Sequence, residues 1–522
     1  MFPIAERWEG EHSMADPVLA CLAIALLLTG SFCADITCPN QDKIKPCKCE
    51  TKSNGQNVTI MCNEGITTQV TDSIVAVAEH GIAIASLRIA GIEMDEVPDS
   101  FAMGTYAESI TITNCNVSLV NERAFNTLQT HLTKLDLTSN LMTKVPTDSL
   151  KGLHSLRILF LQFNKIDKIF QDDFSNLHSL LKLNLYGNKI QIIDSRAFSN
   201  NKLSYINLGY NEMTTIPSNS LDGLPMLKEL ILHENKIEKL KASELEKVGT
   251  TLSDLDLSNN KIVKIPNHCL QKLSVLDTLT IEYNQIKEIE IKAFVGLEDT
   301  LDRLSLAGNK LKEIPSLSLK QLNQLTELDL SHNHLKTIRV NAFEGFGDSL
   351  KYLDLQNNQL KKIEVGSLKS LDGLLWLYIQ HNKLETLSLD AFAPIFDNID
   401  RIDVHDNPFT CDCQMIWFSS LLTRNIQCNP VKEELEKPKN YQYLPACNDT
   451  WVQRLQTMSP EKFVTNSRKS LCNKPLLGIP LSATPTHSMD CTSSASRQTS
   501  NIMNNCQIYV IFVLLYLYLN KM

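Results

Sequence analysis

The chain has 522 residues, a formal net charge of −9 and a pI near 5.8. That acidic balance argues against a nucleic-acid partner, which calls for a basic face. Length alone would suggest several globular domains, but a repeat running through most of the chain makes one elongated array the expectation.

The first element is an apolar run from Val18 to Leu28, followed by Thr29, Gly30, Ser31, Phe32 and Cys33. It is too short to cross a bilayer but suits the core of a secretory signal, with Ser31 and Cys33 small enough for cleavage after Cys33. Residues 1–33 are read as that signal, with Met14 a second candidate start because Glu6, Glu9 and Glu11 outnumber the lone Arg7 ahead of it. A signal peptide implies an oxidising compartment, and the cysteines fit one: of the 15, Cys21 and Cys33 lie in the signal and Cys506 in the tail, and most of the rest gather at the two ends of the array. Residues 34–67 hold Cys38, Cys47, Cys49 and Cys62. Cys-x-Cys is poor spacing for zinc, so disulfides are expected, stapling a small cap over the open edge of the first repeat.

Residues 68–406 repeat one line, clearest in LTELDLSHNHL from Leu325 to Leu335. Its asparagine recurs at Asn140, Asn164, Asn188, Asn211, Asn235, Asn260, Asn284, Asn309, Asn333, Asn358, Asn382 and Asn407, in steps of 23 to 25 residues. The array begins weakly, with Ile92 and then Cys115 at the asparagine position; cysteine is small, tolerates burial and donates weakly through its S–H. In each unit the L-x-L segment is read as a short strand with both leucines inward and the residue between them outward. The asparagine turns the chain and satisfies backbone groups that would otherwise be buried and unpaired. A second apolar column, from Phe101 through Phe125, Phe174, Phe198 and Phe294 to Phe392, closes the opposite side as a structural spine. Cys269, beside Leu270 in that column, is read as a small buried residue, not a reactive thiol.

This pattern resembles the leucine-rich repeat of extracellular proteins of the slit, Nogo-receptor and chaoptin kind. The resemblance implies an α/β-type solenoid, a horseshoe of about 14 repeats with a parallel β-sheet on its concave face and disulfide caps at both ends. For the N-terminal cap it implies the pairs Cys38–Cys49 and Cys47–Cys62. NPFTCDCQMIWF, from Asn407 to Phe418, resembles the C-terminal cysteine cap of the same proteins, read over 407–473, where the aromatic at Trp417 packs the cap onto the open end of the array. The segment MSPEKF before Cys472 favours Cys411–Cys447 and Cys413–Cys472; Cys411–Cys428 with Cys413–Cys447 stays open, and Cys428 and Cys491 are left over.

Residues 474–494 are rich in Ser, Thr and Pro and read as a stalk. The chain then runs through a polar spacer to twelve apolar residues, Ile508 to Leu519. As a helix these span about 18 Å, short of a ~30 Å hydrocarbon core. Small residues, spacer and apolar tail in that order match a signal for GPI attachment, over 495–522, with Ser494 as attachment residue; a short membrane anchor or a secreted form are the alternatives.

Asn57-Val-Thr59, Asn116-Val-Ser118 and Asn448-Asp-Thr450 are glycosylation acceptors, with Asn116 the least accessible by its place just past a strand. No catalytic motif, metal-ligand set or cofactor fingerprint stands out, so a non-enzyme with no cofactor is expected. His233, His332 and His381, and the acids Asp254, Asp256, Glu327, Asp329, Asp354 and Asp403, read as a solvated outward face, and Ser331 is placed with Glu327 and Asp329 on the binding surface. Two outward runs carry interface-type residues: Phe160, Tyr186, Tyr205 and Ile231, then Tyr352, Trp376, Tyr378 and Arg401. The reading is an extracellular protein-binding chain acting in adhesion, recognition or as a receptor ectodomain, GPI-anchored at the outer face of the plasma membrane or secreted. Its expected partners are extracellular or cell-surface proteins, with no nucleic acid. Alternatives are a non-catalytic subunit of a secreted enzyme, similar to the shrimp luciferase companion, or an innate-immune pattern-recognition receptor.

Overall fold

A computed structural model describes residues 38–51, 58–79, 84–199, 202–410, 415–422, 464–465 and 472–474. The signal peptide, Asn57, Asn448, Cys411, Cys413, Cys428, Cys447, Cys491 and Ser494 lie outside them. The chain is a parallel-strand β-solenoid of about 14 turns. It divides into two compact units, one of residues up to 212 with 219–227, the other of 213–218 and 228 onward.

The first unit opens on a disulfide-bonded hairpin. Strand Lys48–Thr51 pairs antiparallel with Val58–Cys62, and Cys38–Cys49 and Cys47–Cys62 are bonded. Strand Val58–Cys62 then pairs parallel with Ile84–Ala90, so the hairpin covers the edge that the first repeat would otherwise expose. Between them lies a helix absent from the repeat-based reading, Thr67–Glu79. Its buried residues Val70, Ser73, Ile74 and Val77 follow helical spacing. The Ser73 hydroxyl donates to the Lys45 carbonyl at 2.8 Å and so ties the helix to the hairpin. Parallel strands follow, one per turn: Ser109–Thr113, Lys134–Asp136, Ile158–Phe160, Lys182–Asn184 and Tyr205–Asn207.

The second unit carries the same ladder from Glu229–Ile231 through Asp254–Asp256, Thr278–Thr280, Arg303–Ser305, Glu327–Asp329, Tyr352–Asp354 and Trp376–Tyr378 to Arg401–Asp403. Val464–Thr465 adds a further parallel strand beside Arg401–Asp403, and Cys472–Lys474 pairs with Phe409–Thr410. In register the middle leucines align, and all are buried because alternate residues of a strand point to one face. The Phe/Leu column fills the other side; Phe174 and Phe198 stack at 5.8 Å, and every member from Phe101 to Phe392 is buried. Trp417 closes the end of this core against Phe392 and Phe396, its Nε1 donating to the Leu387 carbonyl at 2.9 Å.

The asparagines are the joints between turns. Asn164 Nδ2 donates to Leu161 O of its own turn at 3.1 Å and to Leu137 O of the turn before at 3.0 Å, while its Oδ1 accepts from Met142 N–H at 3.1 Å. Asn333 repeats this with Leu330 O, Leu306 O and Leu311 N–H. Cys115 fills the same place with its weaker donor, Sγ standing 3.8 Å from Ile89 O and 3.2 Å from Thr113 O. Burial pushes the Cys115 thiol up, and takes Cys269, buried on the other side, to about 12.

Candidate functional site

The strand face opposite the core divides into three columns with different physics. The first is the residue between the two strand leucines. In seven turns it is Asp or Asn, and its Oδ1 accepts from the N–H two residues on: Asp136 from Thr138, Asn184 from Tyr186, Asn207 from Gly209, Asp256 from Ser258, Asp329 from Ser331, Asp354 from Gln356 and Asp403 from His405, at 2.8 to 3.3 Å. These are Asx turns that take the chain off the strand. Two expectations need correction here. Asp354 and Asp403 are buried, each 4% exposed, with Oδ1 bonded to their own backbone, and Ser331 is 3% exposed. The two acids are structural rather than part of a solvated face, and Ser331 is not open to a partner. Burial and the neighbouring Asp329 carboxylate raise the Asp354 carboxyl to about 6.

The second column is the residue just before each asparagine. It is left-handed in every turn: Ser139, Phe163, Gly187 and Tyr210 in the first unit, then Glu234, Asn259, Tyr283, Gly308, His332, Asn357, His381 and Asp406 in the second. The turn needs this conformation because the residue's own N–H reaches the next turn, as Phe163 N–H does to Tyr186 O at 2.9 Å and Tyr283 N–H to Ala307 O at 2.8 Å. Glycine, asparagine and aspartate adopt it readily; a bulky side chain there costs about 1–3 kcal/mol. Phe163, Tyr210 and Tyr283 nevertheless occupy it and are 51%, 54% and 51% exposed. The outward alternation of the strands did not point to these three; the signal lay in their register with Gly187 and Gly308.

The third column is the residue ahead of the middle strand leucine, where Ile158, Lys182 and Tyr205 are in register, as are Tyr352, Trp376 and Arg401. The first predicted run therefore does not form one row. Phe160 lies in the Asx column, Tyr205 in the third, and Tyr186 past the end of its strand; Ile231 belongs to the second unit, half-buried in register with Asp256. In the first unit, Tyr186 joins Phe163 edge-on at 5.3 Å and stacks with Tyr210 at 5.7 Å. Phe163 lies over Gly187, where an added Cβ would come within 2.7 Å of its ring. Lys134 sits 5.1 Å over Phe160 and Lys182 5.7 Å over Tyr205, within cation–π range. The second run does come together: Tyr352 meets Trp376 at 6.2 Å and Tyr378 at 5.3 Å, and Trp376 and Arg401 are exposed. Burial pushes the Tyr352 phenol well up, so it stays a neutral donor, 3.4 Å from Asp354 Oδ2.

His332 and His381 are exposed, as a solvated face requires, whereas His233 is half-buried. His405, which the motif reading passed over, is buried and lies beside Asp403, His381 and Asp406. Asn116 stands exposed with a left-handed backbone, so its position past the strand does not shield it. Among the described residues no helix is long and apolar enough to cross a membrane.

Stacked parallel strands, a buried asparagine ladder and an apolar spine define a leucine-rich solenoid. The leucine rich repeat family model matches residues 106–166, 130–190, 156–202, 183–237, 250–300, 299–347 and 348–409, more than half of the chain, and the protein belongs to that family. Comparison with curated proteins brings up no match. Among solved structures, that of a TLR13–ssRNA13 complex is similar with a TM-score of 0.59 at 19% identity, covering 80% of this chain and 62% of that one. A Leptospira interrogans LRR protein gives 0.48 at 22% identity over 66% of this chain and 87% of that one. The glycosylated Drosophila Toll–Spatzle complex gives 0.49 at 17% over 86% and 77%. The chain thus spans less than two thirds of the length of the TLR13 chain, and at these identities the likeness is one of fold.

Proposed function

We propose that the protein is a non-catalytic extracellular recognition protein that binds a protein partner through the aromatic cluster of its first unit, Phe163, Tyr186 and Tyr210 with Phe160 and Tyr205 beside them. The observation that carries this reading is that Phe163 and Tyr210 are exposed at left-handed positions where most other turns place glycine, asparagine or another polar residue. Stability favours the small residues there, so the rings are better explained by what they contact outside the chain. Aromatic side chains supply large contact area with few rotatable bonds, and the nearby Lys134 and Lys182 add a polar rim. The acidic net charge supports a protein over a polyanion as the partner.

The bonded cysteine hairpin supports an oxidising, extracellular setting. Within the same proposal belong the caps over 34–67 and 407–473, glycans on Asn57, Asn116 and Asn448, and a GPI anchor at Ser494. Phosphatidylinositol-specific phospholipase releases such a chain from intact cells; retention on the membrane after treatment refutes the anchor. The binding claim is tested by cross-linking capture from source tissue with the wild-type chain and with Phe163→Asn/Tyr210→Asn. Loss of the captured partner with an unchanged or raised melting temperature supports the surface, and equal capture by the double variant refutes it.

A further inference from the structure

We propose that the end of the second unit holds a site for one divalent transition-metal ion, best matched by Zn²⁺, with His405, His381 and Asp406 as ligands. Gln380-His381-Asn382 and His405-Asp406-Asn407 occupy equivalent turn positions in successive repeats. His381 and Asp406 are both left-handed, φ 53° and 52°, which sets the two side chains side by side. His405 precedes Asp406, and its ring meets that of His381 edge-on at 4.8 Å.

The two nitrogens of His405 face different partners. Its Nδ1 lies 2.5 Å from Asp403 Oδ1, the oxygen that also takes the His405 backbone N–H at 3.3 Å. A carboxylate there holds the Nδ1–H and leaves Nε2 as the lone-pair side of the ring. That is the orientation in which a carboxylate behind an imidazole presets it as a metal ligand. Nε2 points to Asp406 Oδ2 at 3.5 Å, and the same oxygen lies 3.4 Å from His381 Nδ1. Ligand atoms from the three residues all fall within 4.8 Å of one another. Lone pairs converging in this way repel unless a cation or a proton stands between them.

Zinc bonds of 2.0–2.1 Å in a tetrahedron place neighbouring ligand atoms about 3.3–3.4 Å apart, close to the two separations to Asp406. Closing the third, at most 4.8 Å, needs a movement of up to about 1.5 Å in His381, whose side chain is 43% exposed and able to make it. Two imidazoles and one carboxylate suit zinc, whereas calcium takes six to eight oxygens. With three protein ligands and two of them on the surface, the fourth position opens to solvent, to be filled by water or by a side chain of another molecule.

The test is calorimetric titration of the full-length, metal-stripped protein with Zn²⁺ at neutral pH, alongside His381→Asn, His405→Gln and Asp403→Asn, with circular dichroism to establish folding. Wild type is expected to bind one Zn²⁺ per chain, with Ca²⁺ failing to compete. His381→Asn, at an exposed position that tolerates the change, and His405→Gln should each abolish the saturable event. Asp403→Asn should weaken it by about 10–100-fold, the effect of losing the group that orients a metal-bound histidine. Absence of saturable zinc binding by the wild type overturns the assignment, as does binding that survives both histidine substitutions.

Discussion

Asp354→Asn is expected to stabilise the protein, and only above mild acidity. Asp354 is 4% exposed and its carboxyl titrates at about 6 in place of the ordinary 3.8. A carboxyl raised on folding contributes stability that is fully present below its unfolded value and lost as pH rises through the folded one. The window therefore runs from about 4 to about 6, and above it the buried charge weakens the fold by up to about 3 kcal/mol, at 1.36 kcal/mol per unit. Asparagine removes that charge while keeping the bond that matters locally, because Asn184 and Asn207 already accept the same N–H two residues on in the first unit. The second carboxylate oxygen takes Gln356 Nε2 at 2.9 Å, and Gln356 Oε1 takes Gln380 Nε2 at 2.8 Å. Flipping both glutamine amides re-pairs the new Nδ2 with Gln356 Oε1 and Gln356 Nε2 with Gln380 Oε1, while the Tyr352 hydroxyl turns from donor to acceptor and Gln380 Nε2 takes the buried place that its oxygen leaves. Chemical denaturation at pH 7.5 and pH 4 measures the effect. A midpoint gain of about 1–3 kcal/mol at pH 7.5 that vanishes at pH 4 is the expected result. An equal gain at both pH values, or none at pH 7.5, refutes a buried charge as the cause.

Asn333→Ala should cost about 3–5 kcal/mol in the same denaturation assay, since it leaves Leu311 N–H, Leu306 O and Leu330 O buried without their partner. Cys115 and Cys269 should resist iodoacetamide in the native protein and react after unfolding, because burial holds both as thiols; mass spectrometry reads the modification. Gly187→Ala should lower stability by about 1–3 kcal/mol and displace Phe163, visible as loss of partner capture. Phe160→Asn should raise stability by about 1 kcal/mol while weakening capture, as it gives its turn the Asx bond that seven others have.

The legible part of the fold was the part that repeats. Leucines at two-residue alternation and asparagines at 23 to 25 residues can be read as ladder and spine because each position meets its own kind in the next turn. The helix Thr67–Glu79 escaped because it belongs to no repeat, although Val70, Ile74 and Val77 show its buried side. Outward was equated with solvated for Asp354, Asp403 and Ser331, which holds for a lone strand. In a stack with neighbours about 4.8 Å away on both sides, a short side chain bonded to its own backbone is covered by longer ones. The candidate site was half legible. Strand alternation found Tyr352, Trp376 and Tyr378, whose rings do meet, but not Phe163 or Tyr210, whose exposure follows from a left-handed turn rather than from alternation. His405 was hidden because its meaning lies in Asp403 two residues back and His381 one turn away.

These columns also say where specificity can reside. A turn whose between-leucine residue is Asp or Asn satisfies its own exit from the strand, so that position is committed to folding. Phe160, Ile231 and Tyr378 stand in the same register without a side-chain oxygen to offer as Asp or Asn does. Each such turn forgoes an Asx bond worth about 0.5–1.5 kcal/mol. Phe163, Tyr210 and Tyr283 forgo the relaxed backbone that glycine or asparagine gives at the next column. Phe160 and Phe163 fall in one turn and Tyr210 two turns on, so three of these six departures lie where the rings meet through Tyr186, although the turn between them keeps Asn184 and Gly187. Scattered departures would fit drift in a tolerant repeat. Three departures within three turns, on the face turned away from the core and joined through the Tyr186 ring, fit a surface held for contact with another molecule.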